Sequence, residues 1–357
     1  MFAGHLERLG LVCPTCRSYG REAPALGLGT VARAIGDDIV EGALVCPACM
    51  REHPIIDGVV VAVADAGSWA QHQLDPVMRR HELSPFMESL LADAVGRGGS
   101  FDRERHDLST YATAHWGDRA KHDPIEPVGT MATLTATALG LLPSPPSGRW
   151  LDLGCAVGRG SFDLAAAGPD LVVGVDLNMA MLRRAEQLRR TGRIEWPRRR
   201  VGLVFDRAEA EHEAARTEQV VFVCADIAVL PFAPGGFDGA LSLNLLDCVA
   251  SPIGHLVELG RALRPGAPAL LSTPYDWSAG ATALEGWIGG HSQRGETGGA
   301  SEPEMRRLLS PDARAGVDTE LTIVEERDGV PWRLHLNARS TMHYRLHLLR
   351  LAKRDHQ

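Results

Sequence analysis

Two groups of residues in this chain have types and spacings suited to chemistry. The first is four cysteines in two pairs, Cys13-Pro14-Thr15-Cys16 and Cys46-Pro47-Ala48-Cys49, separated by 29 residues. A two-residue spacer lets both sulfurs of a pair reach one metal, and two such pairs complete a tetrahedral four-thiolate zinc shell. Pro14 and Pro47 stiffen the turns, whereas a redox-active pair needs only one Cys-x-x-Cys and a following helix. The second group is three carboxylates, Asp152, Asp176 and Asp226, each in or just after a short apolar run. Asp152 opens the stretch Asp152-Leu153-Gly154-Cys155-Ala156-Val157-Gly158-Arg159-Gly160, which reads as a strand, a glycine-rich turn and the start of a helix. Such a turn lets a ligand approach the backbone and points amides at an anion. Asp176 follows about 20 residues on, where an acid accepts hydrogen bonds from ribose hydroxyls. Dinucleotide and nucleoside sites share this arrangement.

The elements that must hold these groups alternate along the chain. Strands are expected at 150–153, 171–177, 220–224 and 237–243, and a fifth after Leu263-Arg264-Pro265-Gly266. Strands alternating with helices give a parallel sheet, and open sheets of this kind bind ligands at their carboxyl edge. Asn244 and Asp247 follow the fourth strand, and Tyr275 and Trp277 follow the fifth. All four are therefore expected in the substrate shell. Upstream, Tyr111 and His115 lie four residues apart and would share one helix face, on a segment just before the first strand. The histidines His343 and His347 alternate with apolar neighbours and read as strand rather than as a metal-binding helix. The arginines at 189–190 and 198–200 read as a solvated helix end and loop, and His5 and His53 as surface residues.

The strand order, the Asp226-Ile227 step and the Arg264-Pro265-Gly266 turn resemble the class I S-adenosylmethionine-dependent methyltransferases from about residue 130 onward. The resemblance implies an α/β, Rossmann-like, seven-stranded domain. It also implies that Asp152, Gly154 and Gly158 shape the methionine pocket, Asp176 holds the ribose, and Asp226 with Ile227 brackets the adenine. Cys155, Ala156, Leu177 and Asn244 complete that expected cofactor shell, with Ala156 standing where glycine is commoner. Tyr111-Ala-Thr-Ala-His-Trp-Gly117, Gly154-Cys-Ala-Val-Gly158, Asn244-Leu-Leu-Asp247 and Ser272-Thr-Pro-Tyr-Asp-Trp277 together resemble the ovothiol-type methyltransferases, which methylate a thiohistidine imidazole nitrogen. Residues 9–64 resemble the small zinc-ribbon activators of tRNA and translation-factor methyltransferases.

Composition narrows the remaining classes. The chain has 357 residues, 45% of them hydrophobic, which is enough for a large domain and a smaller one. The organisation read here is a zinc ribbon at 1–64, a helical connector and lid at 65–130, and the methyltransferase domain at 131–357. Lys+Arg 37 against Asp+Glu 45 gives a net charge of −8, which argues against nucleic acid as the partner. No apolar run approaches the ~20 residues of a membrane span, and the first ten residues lack the pattern of a signal peptide. A cytoplasmic protein is expected. Cys155, Cys224 and Cys248 read as buried small hydrophobes. The expected cofactors are S-adenosylmethionine and a structural zinc ion. The expected partners are a small-molecule methyl acceptor and a protein bound through the ribbon. An RNA or protein methyltransferase and a non-catalytic cofactor-binding scaffold stay open as alternatives.

Overall fold

The computed structural model describes residues 1, 4–78, 83–310 and 317–355. The chain begins with short helices α1 (His5–Leu9) and α2 (Pro14–Ser18), then strands β1 (Gly27–Ile35), β2 (Asp38–Val45), β3 (Glu52–Ile56) and β4 (Val59–Val61). Helices α3 (Ala66–Met78), α4 (Pro85–Val95), α5 (Ser100–Trp116) and α6 (Met131–Leu139) lead into β5 (Arg149–Leu153). There follow α7 (Arg159–Ala166), β6 (Leu171–Asp176), α8 (Met179–Thr191), β7 (Arg193–Val201), β8 (Val204–Glu211), β9 (Val220–Cys224) and β10 (Gly239–Leu243). The chain closes with α9 (Pro252–Ala262), β11 (Pro268–Thr273), α10 (Ser301–Leu308), β12 (Leu321–Asn337) and β13 (Ser340–Lys353).

One mixed sheet carries the fold, in the order β1-β2-β3-β4-β9-β6-β5-β10-β11-β13-β12. The seven strands from β9 to β12 form the class I methyltransferase arrangement, with β9, β6, β5, β10 and β11 parallel and β13 antiparallel to β11. Side chains alternate between two cores, as a pleated sheet covered on both faces requires. Trp150, Val172, Phe222 and Leu241 pack on one side with Trp116, Leu134, Phe162 and Leu182 from α5 to α8. Leu151, Val173, Val223 and Ala240 pack on the other with Leu256, Leu259 and Met305 from α9 and α10.

The ribbon extends this sheet. β4 pairs in parallel with β9, Val60 opposite Val223 and Val61 opposite Cys224, and the Ala62 amide donates to the Cys224 carbonyl at 2.8 Å. Further contacts tie the ribbon to the loop after β9. The Val12 amide reaches the Pro231 carbonyl at 2.9 Å, and Arg17 bonds both Glu258 carboxylate oxygens and the Leu230 carbonyl.

Two features escaped the linear reading. The arginine segment 193–201 is strand β7, which forms a separate hairpin with β8, not a solvated loop. Arg189 is buried, bonding Glu186 and Asp38, and Arg200 pairs with Asp206. Strands β12 and β13 also run on past the sheet. His347 lies opposite Thr273 at the end of β11, so Ser340–Leu346 and their partners from Val330 to Asn337 form a two-stranded arm that runs past the main sheet. The arm folds over the carboxyl edge, with the Arg333 amide bonded to the Gly129 carbonyl at 2.9 Å. His343 and His347 lie on β13 as expected of a strand. Among the described residues no helix is long and apolar enough to cross a membrane.

Candidate functional site

The four cysteine sulfurs converge at the junction of α2 with the loop after β2. Cys13 caps α2 and its sulfur accepts the Cys16 amide at 3.4 Å; Cys46 accepts the Cys49 amide at the same distance. This repeated knuckle directs amide dipoles at both sulfurs and favours thiolates. Cys13 and Cys49 sulfurs are 3.7 Å apart, Cys16 and Cys46 are 3.8 Å apart, and all four lie within 4.8 Å of one another. Tetrahedral bonds of about 2.3 Å place sulfurs roughly 3.8 Å apart, which these two pairs match, so the cluster suits a zinc ion. His53, expected at the surface, is 2% exposed, with Nε2 3.9 Å from the Cys13 sulfur. His5 is buried as well. Both are enclosed because the ribbon packs against the main sheet instead of standing alone.

At the other end of the molecule's logic lies the crevice where sheet order reverses beside β5. Gly154 leaves β5 at φ +74°, and an added Cβ there would stand 2.8 Å from Leu245. Two residues on, Ala156 sits at φ +46°, and its amide donates to Asp176 Oδ2 at 2.9 Å. The Asn178 amide donates to Asp176 Oδ1 at 2.8 Å, so one carboxylate ties the glycine turn to the start of α8. Asp176 remains half-buried at the edge of a cavity of about 440 Å³, whose wall also includes Gly154, Ala156, Leu177, Asp226 and Ile227. Such a volume lies in the range of small-molecule sites, ~300–1,000 Å³.

Asn244, just after β10, adds the clearest unmet demand. Its backbone is at φ +56°, and its Oδ1 accepts the Ser272 hydroxyl at 2.8 Å. That bond leaves Nδ2 at the cavity wall, buried and without a hydrogen-bond partner among the described residues. A buried amide donor left unpaired costs about 1–3 kcal/mol, which a bound acceptor would recover. The residues present fit a nucleoside-bearing sulfonium cofactor: a half-buried carboxylate at the β6 edge, an orphaned donor, and acidic side chains with no lysine or arginine among the described lining residues.

Tyr111 and His115 both reach this cavity from α5, as their shared face implies. Their roles diverge. Nδ1 of His115 accepts the Arg159 amide at 3.3 Å, and burial, with Arg159 nearby, pushes its pKa down to about 3. The imidazole is neutral, and it positions the glycine turn from above. The Trp116 indole does the same through the Val157 carbonyl at 3.0 Å, and Arg159 locks the junction by pairing with Asp118 and Asp163. Tyr111, in contrast, has no hydrogen-bond partner for its hydroxyl among the described residues.

Several expected site residues lie outside the lining. Asp152 is buried beneath the turn, accepting the Ser161 hydroxyl at 2.6 Å. Cys155 is buried below the turn, and Gly158 faces Phe222, Phe162 and Ala185, where any Cβ would approach to 2.9–3.1 Å. Gly158 is thus required for packing. Asp247 is buried against Thr273, which donates to it at 3.3 Å. Trp277 stacks on Trp287 at 6.2 Å and donates to Ser301. Tyr275, at φ +56°, bonds through its hydroxyl to His347 Nδ1 at 2.7 Å, and His347 Nε2 meets Glu326 at 3.0 Å. The chain turns away from the cavity after β11, so proximity to the sheet edge did not translate into access. Phenylalanine at 275 is expected to lower stability by about 1–2 kcal/mol while cofactor affinity and kcat stay within twofold; a large fall in kcat with stability intact would return Tyr275 to the reacting centre.

The Asp152 carboxyl is pushed up to about 7, chiefly by burial, against the opposing Ser161 bond and with Asp176 and Asp163 adding to the rise. Its unfolded value is near ~3.9, so the native state holds more protons between the two values and stability falls as pH rises through that window. Asp152→Asn keeps an acceptor for Ser161 and removes the titration. Urea midpoints at pH 5 and pH 8 should therefore differ less in the variant than in the native protein. Parallel losses in the two proteins would exclude Asp152 as the source.

The linear reading missed Asp107, Met131, Leu245, Cys248 and Trp332, all of which line the cavity. Cys248, expected to be buried, is exposed. Asp107 was legible, one helical turn before Tyr111. Trp332 was not, because only the arm brings it back over the edge.

Residues 129–311, just over half of the chain, match the family described as Methyltransferase domain. The chain belongs to that family. Residues 11–58 of this methyltransferase-family chain match Trm112p-like protein, the same segment that holds the four cysteines and β1 to β3. It is 27% identical over 154 residues to O-methyltransferase rstn1 of Aspergillus nomiae, covering 43% of this chain and 57% of that protein. It is 28% identical over 133 residues to the 27-O-demethylrifamycin SV methyltransferase of Amycolatopsis mediterranei, covering 37% and 41%. The chain thus spans about half the length of the curated relatives it matches. Among solved structures, an S-adenosylmethionine-dependent methyltransferase from Methanosarcina mazei is 21% identical, covering 60% of this chain and 95% of that one with a TM-score of 0.38. The cofactors consistent with this family, the fold and the cysteine cluster are S-adenosylmethionine and zinc.

Proposed function

We propose that this chain transfers a methyl group from S-adenosylmethionine to a nitrogen or sulfur of a small histidine- or thiol-derived metabolite. The observation that carries the reading is the cavity at the carboxyl edge, roofed by α5 and the β12–β13 arm and lined by Tyr111 and by the Asn244 Nδ2 donor, which is unpaired among the described residues. Asp176 would hold the ribose, Asp226 and Ile227 would flank the adenine, and Gly154 and Ala156 would line the methionine end. When bound, the cofactor supplies an activated methyl on a sulfonium.

The protein's own contribution is position and dryness. Methyl transfer is an in-line displacement whose rate depends on alignment and exclusion of water. Trp332 and Met131 close the cavity with apolar surface, and Tyr111 and Asn244 offer hydrogen bonds that orient an acceptor. A neutral imidazole nitrogen attacks through its lone pair, and its product proton leaves to solvent afterwards, so no strong base is required. The acidic lining favours a neutral nitrogen over a thiolate.

A macromolecular acceptor was the competing reading, resting on the ribbon and the arginine run. Most of these arginines are committed internally: Arg189 and Arg190 to Glu186 and Asp38, Arg198 to Asp123 and Arg200 to Asp206. Arg199 bonds the Gly202 carbonyl and His106 Nδ1 and has no acidic partner among the described residues, so one charge of the run stays open to phosphates. The ribbon likewise spends β4 on β9 of its own chain. A protein partner would meet the opposite edge, β1, every residue of which is exposed.

The test is S-adenosylhomocysteine release with thiohistidine, histidine and simple thiols, run beside total RNA and cell protein. Turnover on a small acceptor, reduced in Asn244→Ala, supports the reading. Turnover confined to RNA or protein would replace it with the macromolecular one.

A further inference from the structure

Arg105, on α5, is a buried cation that the methyl-transfer site does not use. It is 8% exposed, yet its guanidinium makes no hydrogen bond or ion pair among the described residues, and its enclosed Nη1 is left without a partner. Arginine is rarely buried this far without an acid beside it. Burial pushes its pKa down, opposed by Glu88 and Asp102 from beyond ion-pair distance. The group is held instead by rings, its Cζ lying over Phe205 at 4.1 Å and over Phe101 at 5.2 Å. Aromatic faces return only part of the hydration that an interior guanidinium loses. Arg105 borders a cavity of about 120 Å³ between α4, α5 and the β7–β8 hairpin, which shares no described lining residue with the methyl-transfer cavity. Arg184 and Arg207 also border it, but donate to Gln187 and Glu88.

We propose that Arg105 anchors a second ligand site, separate from methyl transfer, which takes a small monocarboxylate with a short apolar or aromatic body. A carboxylate matches the planar fork of a guanidinium through two parallel hydrogen bonds. Leu203 and Phe205, both half-buried on the hairpin side, offer apolar wall to the body of such a ligand. Glu104 and Glu195 stand in the same lining, so a phosphate dianion would meet like charge where a single carboxylate meets less. The volume, well below the ~300 Å³ of the smaller drug-sized sites, holds the ligand to a few atoms. An interior charge without a partner also lowers the stability of the ligand-free chain, which separates a binding arginine from a packing one.

The experiment is calorimetry on the full chain at constant ionic strength, with benzoate, butyrate, the uncharged isostere benzamide and inorganic phosphate. Benzoate or butyrate is expected to bind once per chain, benzamide at least tenfold more weakly than benzoate, and phosphate not measurably. Arg105→Gln should weaken the carboxylate at least tenfold, while S-adenosylhomocysteine affinity is unchanged and the urea midpoint equals or exceeds the native one. Arg105→Lys should keep part of the carboxylate affinity. Failure of both carboxylates to bind overturns the proposal, as does benzamide binding as tightly as benzoate, phosphate binding in preference to either, or undiminished carboxylate affinity in Arg105→Gln. A lower urea midpoint in Arg105→Gln, with no carboxylate bound by the native chain, would make Arg105 a packing residue. The comparison of benzoate with benzamide on the native chain decides the matter even where a variant fails to fold.

Discussion

Serine at position 13 is expected to release zinc and unfold the ribbon. Structural zinc bound by four thiolates contributes about 10–16 kcal/mol of apparent binding free energy, comparable to or above the whole stability of a typical domain, ~5–15 kcal/mol. A segment as small as residues 1–64 cannot replace that with buried area. The cost should spread beyond the ribbon. Removing β4 exposes the edge of β9, and the Val12, Arg17 and Ala62 bonds that hold the chain between Cys224 and Phe232 disappear with it. That chain carries Asp226 and Ile227. Native protein, freshly prepared and reduced, should contain about one zinc per chain. In Cys13→Ser, or after chelation, amide exchange should become fast throughout β1 to β4 and then in β9. Absence of zinc from the native sample would reject the cluster as a metal site; zinc loss without faster exchange would show that the ribbon stands on its packing alone.

Alanine in place of Asp176 should abolish measurable cofactor binding, with at least a 100-fold rise in Kd. The carboxylate serves two purposes at once. It accepts the Ala156 and Asn178 amides, fixing the turn to the start of α8, and it presents its remaining lone pairs to the cavity. Hydrogen bonds to a charged acceptor contribute about 1.5–3 kcal/mol each, so losing a pair from bound ribose alone accounts for the factor. Asp176→Asn separates the two purposes, since the amide oxygen can still accept one backbone N–H. Calorimetry with S-adenosylhomocysteine checks both variants. An unchanged affinity in Asp176→Ala would move the cofactor out of this crevice.

Residues acting through backbone geometry or local spacing were the legible ones. The cysteine pairs were readable because a two-residue knuckle is a local object, complete within four residues. Asp176 and Asn244 were readable because each ends a strand at the ligand-binding edge of a parallel sheet. Gly158 and Asp152 were correctly placed at the turn but face inward, and no local pattern distinguishes a glycine needed for packing against Phe222 from one needed for a ligand. Tyr275 and Trp277 show the same limit from the other side. They follow a strand that ends at the edge, yet left-handed backbone at Tyr275 and its bond to His347 turn them away.

What the amino-acid sequence determined by itself was the alternation of strands and helices, the metal-binding knuckles and the carboxylates at strand ends. These depend on side-chain periodicity and on neighbours within a few residues. Only the tertiary structure decided that the ribbon would prolong the main sheet through β4 and β9, 159 residues or more apart in the chain. It alone brought Trp332 back over the cavity on an arm that outruns its sheet, and it turned arginines 198–200 into part of a hairpin in which Arg198 and Arg200 pair with Asp123 and Asp206. Those outcomes rest on open strand edges and opposite charges finding partners across long loops, a choice that depends on which surfaces meet when the whole chain closes and that no local spacing encodes.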